Sequence, residues 1–186
     1  MRKNFGAKSF LYPMPVLIIA TYSEDGTPDA MNAAWGSIAD TNRIAIYLSA
    51  EHKTTKNILA RKAFTVSMAD AAHVAEADYV GIVSANDVPD KLEKAGLHTT
   101  KSTVVDAPLI DELPMALECK MVSFDEESEL LIGEIVNVCA EESILDDKGN
   151  IAPAKLNPIT YDPVNHAYLK LGEKVGNAFS DGKKLK

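Results

Sequence analysis

Residues 16–38 read VLIIATYSEDGTPDAMNAAWGSI, and this stretch decides the fold. Val16–Ser23 is a run of branched aliphatic residues closed by Thr21 and Tyr22, the composition of a strand. Glu24-Asp25-Gly26-Thr27-Pro28 follows, and Asp-Gly between two apolar runs signals a tight hairpin. The return segment, Asp29–Ile38, is built largely of small residues (Ala30, Ala33, Ala34, Gly36, Ser37) around a single tryptophan. Small residues in a strand let something flat come close to the backbone. With a period of two, Asn32 and Ala34 share one face, and Ala33 and Trp35 share the other. Asn32 reads either as a polar residue near a turn or as a group that meets the polar edge of a heteroaromatic ring. Trp35 either flanks such a ring or fills core, and core filling is expected.

Outward from this hairpin the chain remains β-rich. Asp40-Thr41-Asn42 makes a turn into a strand over Arg43–Ala50. Further strands are expected at Phe64–Met68, Ala116–Phe124 and Leu130–Ala140, the last two joined across Asp125–Glu129. Helices are expected at Lys53–Lys62, with Thr54 or Thr55 as N-cap, at Ala71–Gly81, and at Pro89–Gly96, which Gly96 terminates. Residues 156–179 read as irregular. Six strands without βαβ alternation argue against a doubly wound parallel sheet and for an antiparallel barrel with helical decoration, a single domain over residues 1–186. Neither a glycine-rich dinucleotide fingerprint nor a Walker loop is present.

Composition narrows the function. The 186 residues are 46% apolar and 25% charged, an ordinary globular balance. The 19 basic and 27 acidic side chains give a net charge of −8, which disfavours nucleic-acid and anionic-membrane partners. Cys119 and Cys139 are the only cysteines. Each sits in an apolar run, so both are expected to be buried strand thiols rather than a disulfide or a metal site. Basic residues precede Phe10–Ala20, but Pro13 and Pro15 interrupt that stretch and no cleavage-site pattern follows, so a cytoplasmic chain is expected. The histidines His52, His73, His98 and His166 form no recognisable catalytic or metal grouping.

One region inverts the charge. From His52 to Ala69 there are four basic residues and no acidic one. In Ser49-Ala50-Glu51-His52-Lys53-Thr54-Thr55-Lys56-Asn57 a strand ends and a helix begins on hydroxyls and a lysine. The first N–H groups of a helix lack internal partners and carry the positive end of its dipole. With the hydroxyls of Thr54 and Thr55 and the charge of Lys56 they compose a phosphate cradle. A capped helix with a solvated basic face has the same sequence, and the residues alone leave both readings open. Lys91, on a short helix, reads as an exposed lysine or an anion contact.

In order along the chain, Pro15-Val16-Leu17, Asp25-Gly26-Thr27-Pro28, Asn32-Ala33-Ala34-Trp35, His52-Lys53-Thr54-Thr55-Lys56-Asn57-Ile58, Phe64-Thr65-Val66-Ser67, Ala77-Asp78-Tyr79-Val80-Gly81, Asp90-Lys91, Pro108-Leu109-Ile110 and Pro158-Ile159-Thr160-Tyr161 resemble the flavin reductase-like family of FMN-binding split-barrel proteins, in its flavoredoxin-type branch. The resemblance implies a mainly β fold, a six-stranded antiparallel split β-barrel of Greek-key type with short inserted helices. It implies a homodimer with non-covalent FMN near the interface. Ser49, Thr54, Thr55 and Lys56 would hold the phosphate, and Asn32, Ala33 and Ala34 would lie near the isoalloxazine. Trp35, Ala50, His52, Asn57 and Lys91 complete the implied cofactor-binding set, with Tyr161 or Tyr168 nearby. The implied function is an oxidoreductase that passes electrons from NAD(P)H or a reduced protein to flavin, ferric iron or a protein. The alternative is a flavoredoxin-like carrier without NAD(P)H activity.

Overall fold

The structure, a computed structural model, describes residues 1–185. Its strands are β1 (Met14–Pro15), β2 (Leu17–Tyr22), β3 (Pro28–Ala33), β4 (Gly36–Asp40), β5 (Arg43–Tyr47), β6 (Ala63–Met68), β7 (Thr99–Lys101), β8 (Pro108–Ile110), β9 (Met115–Asp125), β10 (Leu130–Ala140), β11 (Ile159–Asp162) and β12 (Ala167–Lys170). The helices are α1 (Lys53–Arg61), α2 (Val74–Ile82), α3 (Lys91–Lys94) and α4 (Pro153–Leu156). The main sheet is antiparallel and has seven strands in the order β3-β2-β6-β9-β10-β5-β4. This corrects the expectation of six. The segment Asp29–Ile38 is not one strand: it breaks at Ala34 and Trp35 into β3 and β4, which stand at opposite ends of the sheet order. Two residues cannot span a flat sheet of that width, so the sheet curls until its two edges come close, as a split barrel does. The 2.9 Å bond from Tyr47 N–H to the Trp35 carbonyl pins the corner.

The hairpin closes as expected. Ser23 N–H donates to the Thr27 carbonyl at 2.8 Å, and Gly26 takes φ of +87°, a value that favours glycine. Both faces of β2 are buried. Leu17 and Ile19 pack with Ile44, Ile46, Phe64 and Leu131 on one side, and Val16, Ile18 and Ala20 pack with Val80, Leu92 and Ile159 on the other. That double burial is why the run carries no polar alternation. Residues 156–179 are more ordered than expected, since β11 and β12 join β1 in a second, three-stranded sheet. The helices are also trimmed. Asp70 Oδ1 accepts the N–H groups of Ala72 and His73 at 2.9 Å, and α2 starts only at Val74. Neither Thr54 nor Thr55 is the N-cap of α1: His52 stands there without a side-chain cap bond, and both threonines are buried. Cys119 is fully buried as expected, and burial pushes its thiol up to about 12. Cys139 is only half-buried, and both cysteines are free. Among the described residues no helix is long and apolar enough to cross a membrane.

Candidate functional site

A groove runs between the broken β3–β4 corner and helices α1 and α2. It consists of two adjoining cavities of about 300 and 280 Å³ that share Met31, Asn32, His52, Gly81 and Ile82.

The first cavity is largely apolar. Ala33, Ala34 and Trp35 form one wall, Tyr47 and Leu48 a second, and Tyr161 and Tyr168 from the small sheet a third. The alanines leave the backbone open, as the small-residue pattern suggested. Trp35 does not fill core. It is about half exposed, at 53%, because it stands at the chain corner, where the strand alternation that would direct it inward has ended. Asn32 is held against α2, its Nδ2 donating to the Ala77 carbonyl at 3.0 Å. That approach needs Gly81, where a Cβ would meet Asn32 Cβ at 2.9 Å. The Tyr168 hydroxyl donates to Asp78 Oδ1 at 2.7 Å. Burial, and then this bond, push the phenol up to about 12. The Tyr161 hydroxyl and His166 Nδ1 are 2.9 Å apart.

The second cavity is polar. It is lined by Glu51, Lys53, Thr54, Lys91 and the segment Val80–Ala85 in addition to the shared residues. The first bond of α1 runs from Lys56 N–H to the His52 carbonyl. The N–H groups of Lys53, Thr54 and Thr55 therefore precede the helical ladder, and no side-chain cap or acidic residue occupies the first turn. Such an end attracts anions. The helix is locked in place by Asn57 Nδ2, 3.3 Å from Ser23 Oγ, and by Arg61, which donates twice to the Ser23 carbonyl at 3.0 and 2.7 Å. Lys91 is not the exposed lysine that its helix suggested. It is 3% exposed, with Nζ 3.0 Å from Asp29 Oδ1 and donating to the Val83 carbonyl at 3.2 Å.

Seven of the twelve residues singled out in the sequence therefore border the groove: Asn32, Ala33, Ala34, Trp35, His52, Thr54 and Lys91. The other five do not. Ser49 and Ala50 form the turn before α1, where the Ser49 carbonyl accepts His52 N–H at 3.2 Å. Thr55 is buried with its hydroxyl unpartnered. Lys56 pairs with Glu51 at 3.1 Å and, with Asn57, borders a separate depression beyond Lys53. Sequence reasoning passed over Lys53, Asp78 and Asp29. The first two lay inside quoted motifs. Asp29 carried a signal of its own, a carboxylate between Pro28 and apolar Ala30 in a strand.

A curled antiparallel half-barrel with a groove at its broken edge, apolar at one end and anion-attracting at the other, defines a protein of the split-barrel class. Residues 9–162 match the flavin reductase like domain, and the chain belongs to that family. It is similar in structure to the flavoredoxin of Desulfovibrio vulgaris (Miyazaki F), with a TM-score of 0.94 and 38% identity over 98% of this chain and 100% of that one. It is also similar to a flavoredoxin from Methanosarcina acetivorans, with a TM-score of 0.89 and 25% identity over the whole of both chains. An uncharacterised protein of Aquifex aeolicus is 26% identical over 79% of each chain.

Proposed function

We propose that the groove binds FMN non-covalently and that the protein is a flavin-dependent oxidoreductase. In this reading electrons pass from NAD(P)H or a reduced protein to flavin, ferric iron or a protein acceptor. The observation that carries the reading is the union of the two cavities at Asn32, His52 and Gly81. A flat, largely apolar ring system and a phosphate on a short polar chain need those two environments side by side. The fit rests on the unpartnered N–H groups of the first turn of α1, which match the oxygens of a monophosphate.

Lys53 and these N–H groups would hold the phosphate, and Lys91 would stand beside it. Ala33 and Ala34 would let the ring lie against the backbone. Trp35, Tyr47, Tyr161 and Tyr168 would wall it from water, and Asp78 holds the Tyr168 phenol in place. When bound, the flavin supplies the hydride and one-electron chemistry, so the protein's part is binding, orientation and exclusion of water.

The 38% identity to a flavoredoxin favours a second reading, an electron carrier that uses the same groove and has no NAD(P)H activity of its own. We further propose that the working unit is a homodimer. The exposed apolar residues Trp35, Ile38 and Tyr47, beside the groove, support it. The two unpaired thiols suit a reducing, cytoplasmic setting.

The test is the visible absorption spectrum after incubation with FMN and desalting. A retained flavin spectrum is expected, and complete release of FMN would overturn the resident-cofactor reading. Anaerobic NADH and NADPH then divide the two functions. Bleaching of the flavin supports the reductase. Failure to bleach, with reduction by dithionite intact, supports the carrier.

A further inference from the structure

We propose that Asp29 is a positioning residue for the anion end of the groove, a buried carboxylate that clamps the first turn of α1 to Lys91. The proposal rests on the reading of that end as the phosphate site of FMN.

Asp29 is 1% exposed, in β3, and contacts two residues that line the polar cavity, Thr54 and Lys91. Its two oxygens gather groups from two other elements, α1 and α3. Oδ2 accepts from Thr54 Oγ1 at 2.6 Å and lies 3.5 Å from Asn57 Nδ2, both on α1. Oδ1 faces Lys91 Nζ of α3 at 3.0 Å, as a charge contact without hydrogen-bond alignment. Lys91 Nζ in turn reaches the Val83 carbonyl, at the end of α2. Of these, Thr54, Val83 and Lys91 line the polar cavity, together with Lys53.

Stability alone gives no reason for this arrangement. A buried ion pair adds little over well-packed apolar residues, whereas removing one partner leaves an uncompensated charge. The chemistry of the donors gives a reason. The Thr54 hydroxyl has one hydrogen, which it spends on Asp29, so what Thr54 offers an anion is its backbone N–H. Lys91 has three N–H bonds. Asp29 and Val83 fix the direction of the ammonium, and a remaining N–H is left for the cavity. One carboxylate thus sets both the position of the free N–H row and the aim of the lysine. Thr54 and Lys91 face different oxygens of Asp29, and asparagine replaces one of the two by an NH2 donor, so one of these groups would meet a donor instead of an acceptor.

The experiment compares the affinity of the flavin-free protein for FMN and for riboflavin, which lacks the phosphate, by fluorescence titration. Asp29→Asn is expected to lower the preference for FMN by about tenfold, the scale of one charge-assisted hydrogen bond, with riboflavin affinity unmoved. Thr54→Val, which removes only the hydroxyl, is expected to move the ratio in the same direction by less. An unchanged ratio in folded Asp29→Asn, or equal losses for both ligands, would overturn the proposal and leave Asp29 a structural residue. If Asp29→Asn does not fold, Thr54→Val decides, and an unchanged ratio there overturns it. If the wild-type protein binds riboflavin as well as FMN, the phosphate reading itself fails, and that outcome is seen before any variant is made.

Discussion

Lys53 occupies the first position of α1 and borders the polar cavity. Lys56, three residues on, is exposed and paired with Glu51. Lys53→Gln is therefore expected to weaken FMN binding by about 1.5 kcal/mol, roughly tenfold, in a fluorescence titration. Lys56→Gln is expected to leave it within about twofold, since an exposed ion pair contributes little. The sequence of this helix shows which residue types are present but not which way each side chain turns. The hydroxyl of Thr54 faces Asp29, and no local pattern announces that. Tyr168 makes the second prediction at this scale. Its phenol is raised from the usual value of about 10 to about 12 in the folded protein. A group that holds its proton more tightly when folded stabilises the fold below its unfolded pKa, and that contribution is lost as pH rises through the folded value. Tyr168→Phe should thus lower Tm at pH 8, and the gap between wild type and variant should close as pH rises from about 10 to about 12. A gap that stays constant would show that the hydroxyl makes no linked contribution.

At the scale of elements, the positions that shape the barrel are those where a side chain is missing. Gly133 sits at a register shift in β10, and a Cβ there would lie 2.4 Å from Cζ of Phe64, which is itself fully buried. Gly133→Ala forces the ring or the strand to move, at a cost of about 1–3 kcal/mol. The expected outcome is a lower denaturant midpoint with an unchanged slope. An unmoved midpoint would mean that the ring repacks freely. Gly36 has the same role at the corner, where a Cβ would lie 2.7 Å from Leu17 Cδ1. The long strands β2, β9 and β10 were legible because their runs of apolar and branched residues persist over enough positions to register. The corner was not, because Ala34-Trp35 contains no turn dipeptide, and small residues read the same in a strand and in a bend. β11 and β12 have four residues each, too few for alternation to declare itself beside Pro158 and Pro163. Missing them obscured the wall that Tyr161 and Tyr168 give the groove, although the family resemblance pointed to both tyrosines.

For the molecule as a whole, charge and apolar surface divide the work. An overall charge of −8 repels anions at long range, so a phosphate bound in the polar cavity would depend on short-range donors, the first turn of α1 and Lys53. These are screened less than a diffuse field would be. Part of the exposed apolar surface lies beside the groove. Trp35, Ile38 and Tyr47 are 53%, 62% and 53% exposed. A further cavity of about 270 Å³, lined by Leu11, Pro13 and Pro15, shares Ala34, Trp35 and Tyr47 with the groove. β4 ends the sheet order and carries Ile38 outward. Exposed apolar residues at an edge strand, its neighbour β5 and the corner before it are unfavourable for a lone chain and favour association. A second copy seated there would cover the apolar rim and complete the shielding of a bound ring, which couples assembly to flavin retention. Sedimentation at micromolar concentration is expected to give a dimer for the wild-type protein. Ile38→Glu, which borders neither groove cavity, is expected to shift it toward the single chain and, by opening the rim, to speed FMN loss on dilution. A variant that dissociates while holding FMN as tightly as before would separate the two effects and place the whole cofactor site within one chain.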